Sequence, residues 1–177
     1  MQPESKSQQQ FEECVERCAD SLYRVAYRLT GNRTLASELV QETYLSAWKS
    51  IDSLKDPQRM RAWMFSILRN QYTKLLRKEK REKQNALSVE QLGDVSKPVT
   101  ANDKAKEETV DRVQAALALL DEKHKIPVLL VSLEGISVEE AANVLNVPRG
   151  TVLSRLHRGR QKLKEILSRD QTELNQS

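Results

Sequence analysis

Between Arg149 and Lys164 stand six basic residues, Arg149, Arg155, Arg158, Arg160, Lys162 and Lys164, and no acidic one. On a helix, that bias suits contact with the phosphates and base edges of a DNA groove. A second basic run lies earlier: Arg61, Arg69, Lys74, Arg77, Lys78, Lys80, Arg81 and Lys83, with Asn70 among them. Asn offers both a donor and an acceptor to a base edge, while Lys and Arg suit phosphates. The catalytic inventory is poor. Two histidines, no Gly-rich phosphate loop, no defensible Ser, His and acid constellation and no metal-ligand cluster argue for a non-enzyme without a cofactor. Cys14 and Cys18 lie one helical turn apart, but two ligands with neither His124 nor His157 nearby do not make a zinc site. They read as ordinary buried cysteines. His157, among arginines, can meet phosphate or solvent, and the sequence does not choose.

The elements that must carry these residues are helical. Ser137 followed by Glu140 is a capping box, and Ala141, Val144 and Leu145 give the helix that follows an apolar face. Asn146 tolerates the left-handed turn required next, and Pro148 suits the opening of a second helix. Ala142, Asn146 and Val152 fall four and six apart, the spacing of a helix-turn-helix with a close crossing and a buried Val. Upstream, Val15, Cys18, Leu22, Val25, Ala26 and Leu29 line a first helix over 11–29, closed by Gly31. Thr34 is placed to cap a second, with Leu35, Leu39, Val40, Thr43, Tyr44, Ala47, Trp48 and Ile51 inward and Glu38, Gln41, Glu42, Ser46 and Lys49 outward. Asp56-Pro57 starts a third, burying Met60, Trp63, Met64, Ile67, Leu68, Leu75 and Leu76. After a polar stretch the pattern resumes at Val110, Val113, Leu117 and Leu120, and a short helix is expected from about Pro127 to Glu134, stopped by Gly135.

The fold class expected is all-α: two small helical domains joined by a flexible linker. The boundaries read as a disordered tail over 1–10, a first domain over 11–83, a linker over 84–106, a second domain over 107–169 and a disordered tail over 170–177. At 177 residues, with 38% apolar and 5% aromatic residues, each core must be small and aliphatic. Two cysteines argue against a disulfide-built secreted scaffold. The polar start Met1–Gln10 lacks a signal peptide's apolar run, and the most apolar stretch, Ile126 to Leu133, is too short to insert in a membrane. A cytoplasmic location is the expectation.

Three stretches carry a resemblance to the extracytoplasmic-function (ECF) group of bacterial sigma-70 factors. Leu35-Ala-Ser-Glu-Leu-Val-Gln-Glu-Thr-Tyr-Leu-Ser-Ala-Trp48 resembles region 2.2. Met60-Arg-Ala-Trp-Met-Phe-Ser-Ile-Leu-Arg-Asn-Gln-Tyr72 resembles regions 2.3 and 2.4. Leu120-Asp-Glu-Lys-His through Pro148-Arg-Gly-Thr-Val-Leu-Ser-Arg-Leu-His-Arg-Gly-Arg160 resembles region 4. Ser37-Glu38 stands where the family often has an Asp, Asp121 where it commonly has Pro, and Asn146 where the turn is usually Gly. The resemblance implies promoter-specific transcription initiation. It implies that Glu38, Gln41 and Glu42 dock on the β′ clamp helices of core RNA polymerase, with the β flap as a further partner surface. It gives residues around Ile51 to Arg59 the capture of a flipped −10 base. It implies that Arg61, Arg69, Asn70, Lys74, Arg77 and Lys78 hold the −10 strands, and that Arg149, Thr151, Ser154, Arg155 and Arg158 face the −35 element. Promoter DNA and an anti-sigma factor are the other partners it implies. Two rivals are a helix-turn-helix repressor acting alone on duplex DNA and a helical adaptor whose basic faces bind an acidic protein.

Overall fold

The computed structural model describes residues 6–85 and 104–174, all helices and short connections, with no strand among them. Helix α1 spans Lys6–Thr30, α2 Arg33–Ser50, α3 Met60–Asn85, α4 Lys104–Ala118, α5 Glu122–Pro127, α6 Val138–Leu145 and α7 Arg149–Leu174. Two single 3-10 turns, Ile51–Ser53 and Pro57–Arg59, connect α2 to α3, and α5 runs into a π-helical turn, Val128–Leu133.

Local rules set most of the ends. Gly31 takes the left-handed conformation at φ 66°, and its N–H donates to the Tyr27 carbonyl at 2.8 Å, closing α1. Asn32, not Thr34, caps α2. Its extended backbone lets the side-chain oxygen accept from Leu35 N–H at 3.0 Å, whereas Thr34 already lies inside the first turn. Asp56 accepts from Gln58 N–H at 2.9 Å, with Pro57 at the next position. That cap starts a 3-10 turn, and α3 proper begins only at Met60. Ser137 and Glu140 form the reciprocal capping box, with Glu140 N–H to Ser137 Oγ and Ser137 N–H to Glu140 Oε2 both 3.1 Å. Asn146 sits at φ 50°, ψ 50°, the left-handed turn into α7, and Val152 is fully buried.

Several expected boundaries move. The short helix expected from Pro127 starts at Glu122, because the Asp121 carbonyl already accepts from His124 and Lys125 N–H at 2.9 Å. The tail expected over 1–10 is helical from Lys6, supported by a Gln8–Glu12 side-chain bond one turn apart. Residues 170–174, also expected to fray, continue α7. The linker expected over 84–106 is shortened at both ends, since α3 reaches Asn85 and α4 begins at Lys104; Gln84, Lys104, Ala105 and Lys106 in these flanks favour helix. Its middle, 86–103, lies outside the described residues, as do 1–5 and 175–177.

The N-terminal half is a three-helix bundle. Cys14, Cys18, Leu22 and Val25 of α1, Leu39 and Ala47 of α2, and Met64, Phe65, Leu68 and Tyr72 of α3 are buried at helical spacing. Thr43, buried among them, donates to the Leu39 carbonyl at 2.7 Å, so no hydroxyl is stranded. Burial pushes the Cys14 thiol up to about 11, and the adjacent Cys18 adds to the rise. In the C-terminal half, α5 and α6 pack on α7. A Cβ at Gly159 would stand 2.9 Å from the His124 carbonyl and 2.8 Å from Val128 Cγ2, so glycine permits this close crossing.

The halves are not held apart. α6 packs on α3, and α4 on α1. Leu117, Leu129, Leu130, Ala141, Val144 and Val152 join the N-terminal residues in one contiguous buried cluster. Gln114 Nε2 donates to the Arg28 carbonyl at 3.3 Å, and Arg28 donates back to Gln114 Oε1 at 3.3 Å.

Candidate polymerase and nucleic-acid interfaces

Most of the residues singled out from the sequence fall on three surfaces, with Arg61 and Lys78 outside them. The first is the outer stripe of α2. Glu38, Gln41 and Glu42 are all exposed there, as turn-spaced neighbours. The stripe continues into two apolar side chains. Leu45 is 53% exposed and Trp48 47% exposed. The core position expected for Trp48 is therefore wrong: its indole lies over Phe11 of α1, ring centroids 5.1 Å apart at 72°, with its other side in solvent. A pairing of carboxylates with an adjacent apolar anchor suits a partner helix with basic and apolar residues. Periodicity placed Trp48 one step too far inward, because a wide apolar stripe reads the same whether its edge is covered or not.

The second surface is a groove between α2 and α3. Ser46, Ile67, Arg69, Asn70, Gln71, Thr73, Lys74 and Arg77 line it, enclosing about 450 Å³. It brings four of the expected −10 residues, Arg69, Asn70, Lys74 and Arg77, to one concavity. Gln71 donates to Ser46 Oγ across it, fixing one wall to the other. Ser46, Gln71 and Thr73 were not singled out as site residues by sequence reasoning; Thr73, four residues from both Arg69 and Arg77, could have been found by helical spacing, whereas Gln71 and Ser46 of α2 could not. Lys78 is exposed beyond the groove and pairs with Glu82 at 3.9 Å. At the head of α3, the connection 51–59 is pinned by buried Ile51 and Leu54, while Asp52, Ser53 and Lys55 through Arg59 are exposed.

Arg61 is separate from this groove. Its Nη2 lies 2.7 Å from Glu134 Oε2 and its guanidinium 5.8 Å from the Phe65 ring centroid. Arg24 of α1 reaches the same carboxylate, Nε to Oε1 at 3.1 Å and Nη2 to Oε2 at 3.0 Å. Both guanidinium groups also donate to Ser21 Oγ at 3.3 Å. The bond to Glu134 holds the Arg24 guanidinium above its ordinary range.

The third surface is the outer face of α7. Arg149, Ser154 and Arg158 are exposed there, with Thr151 and Arg155 half-buried beside them. Arg149 faces Glu139 at 3.8 Å, a largely exposed pair that yields readily to phosphate. Two further cations of this helix, both exposed, bond within their own half. Arg160 Nε donates to Ser132 Oγ at 3.0 Å, and Lys162 lies 3.5 Å from Asp121. His157 is exposed. Behind the face, His124 is buried with Nδ1 3.4 Å from Asp121 Oδ2, longer than a well-formed hydrogen bond. Burial, then repulsion from Lys162 and Lys123, pulls its pKa below the usual imidazole value.

Comparison with known proteins identifies the family. Residues 14–82 match the family described as Sigma-70 region 2, and residues 111–163 match Sigma-70, region 4. The ECF RNA polymerase sigma factor SigE of Mycolicibacterium smegmatis is 34% identical over 173 residues, covering 94% of this chain and 65% of the relative, which is thus the longer protein. The ECF RNA polymerase sigma factor EcfG of Rhodopseudomonas palustris is 36% identical over 154 residues, 86% of this chain and 82% of the relative. Among solved structures, the sigma factor RpoE of Bartonella quintana, in complex with the anti-sigma factor NepR, superposes with a TM-score of 0.73 at 28% identity, over 89% of this chain and 96% of that one. CnrH, in complex with the cytosolic domain of CnrY, gives 0.67 at 28% identity, over 90% and 88%. Both sigma regions, in order, on a fold shared with solved sigma factors place this chain in the ECF subfamily of RNA polymerase sigma-70 factors, which are transcription initiation factors and not enzymes.

Proposed function

We propose that this chain confers promoter specificity on core RNA polymerase through its three surfaces. The α2 stripe, Glu38, Gln41 and Glu42 with Leu45 and Trp48, docks on the β′ clamp helices. The groove of Arg69, Asn70, Lys74 and Arg77 holds the opened −10 strand. The α7 face of Arg149, Thr151, Ser154, Arg155 and Arg158 enters the −35 major groove, and the C-terminal half also meets the β flap. The carrying observation is the groove, where cations and an amide converge in one concavity between α2 and α3, the chemistry that suits a single strand. Binding energy from phosphates and flipped bases offsets the few kcal/mol that each unpaired base costs. The units are the two halves, 11–83 and 107–169. No cofactor enters the scheme, and the location is cytoplasmic; no described helix is long and apolar enough to cross a membrane. Since the similar RpoE structure is a complex with the anti-sigma factor NepR, an anti-sigma factor is proposed here as well.

Run-off transcription with purified core polymerase on a pool of genomic promoter fragments tests the scheme. Discrete transcripts that require the chain, and are lost with Glu38→Lys plus Glu42→Lys, are expected. Tight duplex binding by the chain alone with no factor-dependent transcript would favour the repressor reading instead.

A further inference from the structure

Glu134 is the most enclosed charge in the molecule's described part. Its side chain has no exposed surface, and it sits where the π-helical turn ends, between two guanidinium groups of the other half. Arg24 and Arg61 lie 110 and 73 residues away in sequence and together give it three charge-assisted bonds of 2.7 to 3.1 Å. Ser21 Oγ accepts from both arginines and fixes their spacing. A carboxylate removed from water needs such partners, and its arginines must come from the N-terminal half. The contact therefore exists only while the two halves are packed together, alongside the α3–α6 and Gln114–Arg28 contacts.

Resting on the sigma reading above, we propose that Glu134 with Arg24 and Arg61 is an interdomain clasp that keeps the free chain closed. The internal carboxylate occupies Arg61 in place of a DNA phosphate. Geometry makes closure and promoter engagement exclusive. A compact chain of this length has a radius of gyration of about 16 Å and is about 40 Å across. Elements centred near −10 and −35 lie roughly 25 base pairs apart, roughly 85 Å along B-DNA at 3.4 Å per pair. The closed body cannot place the α2–α3 groove on one and α7 on the other. Residues 86–103 join Asn85 to Lys104, and that many residues reach about 60 Å when extended, so the covalent connection permits the halves to part. Docking on polymerase supplies the binding energy that opens the clasp, and opening frees Arg61 at the moment the promoter strand arrives.

The test is made on the full chain with two variants. Arg24→Glu reverses one guanidinium and leaves Arg61 untouched; Glu134→Gln keeps the side-chain shape and removes the charge. Far-UV circular dichroism establishes that each is folded. Small-angle X-ray scattering is expected to give the compact radius for the parent chain and a larger one for both variants. At limiting factor, both are expected to raise run-off transcription on the order of tenfold, because apparent affinity is diluted by the fraction of closed chain, with the difference vanishing at saturating factor. Unchanged scattering from both folded variants overturns the clasp and leaves the sigma reading intact. Opened scattering without a gain in transcription overturns its role in promoter access. Opened scattering with no transcript from any form overturns the sigma reading and leaves the clasp standing as a contact between halves.

Discussion

The groove between α2 and α3 and the outer face of α7 present similar side chains in opposite shapes. Each joins arginines to short polar groups, Asn70 and Thr73 in one, Thr151 and Ser154 in the other. The groove is concave and has two walls, tied by Gln71 and Ser46. The α7 face is one convex helix side raised on its own core. A concavity encloses a strand whose bases have left the stack, whereas a convex helix fills a major groove. By composition alone both surfaces would suit phosphate; in the function proposed above it is shape that gives one to melted and the other to duplex DNA.

The strongest way to break that division is to empty the groove. Arg69→Ala, Lys74→Ala and Arg77→Ala together remove three charge-assisted contacts of about 1.5–3 kcal/mol each. Strand opening at the −10 element, read by permanganate reactivity of unpaired thymines, is expected to fall on the order of a thousandfold, while duplex binding through α7 holds. Equal losses in both would erase the distinction between the surfaces.

A smaller effect sharpens the other side. Arg158→Ala is expected to weaken binding of a −35 duplex by about 1–3 kcal/mol. Relaxed preference at one base pair assigns Arg158 to a base edge. Uniform weakening across sequences, with a salt slope shallower by about one, assigns it to phosphate. Competition binding across a set of single-position duplex variants at two salt concentrations separates the outcomes.

The smallest effect concerns the platform behind α7. The folded-state pKa of His124 is depressed, so the unfolded chain takes up the proton first as pH falls. The stability due to neutral His124 is complete above its unfolded value of about 6.5 and is lost as pH falls toward the folded one. Urea unfolding midpoints are expected to drop between pH 7 and pH 5, and His124→Gln should flatten that slope. The N-terminal bundle has no such buried imidazole, so the groove's geometry should be insensitive over the same range.

What the sequence made legible was local. The Ser137–Glu140 box, the left-handed Asn146 and the buried Val152 follow from rules acting over one or two turns, and all three are present. Asn32 displaced Thr34 as a cap because two residues both suited the position and only backbone geometry chooses. Trp48 reached the surface because periodicity gives a direction but not what lies opposite. Among the site residues, the turn-spaced set Arg69, Asn70, Lys74 and Arg77 was legible as one face, but the wall contributed by Ser46 was not. Arg61 was the hardest case. Its partner lies 73 residues away, and no spacing rule links an arginine at the head of one helix to a glutamate at the end of another.

The π-helical turn Val128–Leu133 gives this last pairing its direction. Glu134 N–H donates to the Leu129 carbonyl five residues back, at 3.0 Å, so the coil holds one residue more than an α-helix over the same length. Such a widened turn resets the azimuth of the residue that follows it. Each residue of an α-helix advances the azimuth by about 100°. Were the same residues wound as a regular α-helix, with none removed, Glu134 would stand about a quarter-turn away from Arg24 and Arg61. Closure of this chain is thus a matter of helical phase, set by how the residues before Glu134 are wound and independent of the residues of its proposed DNA-facing surfaces.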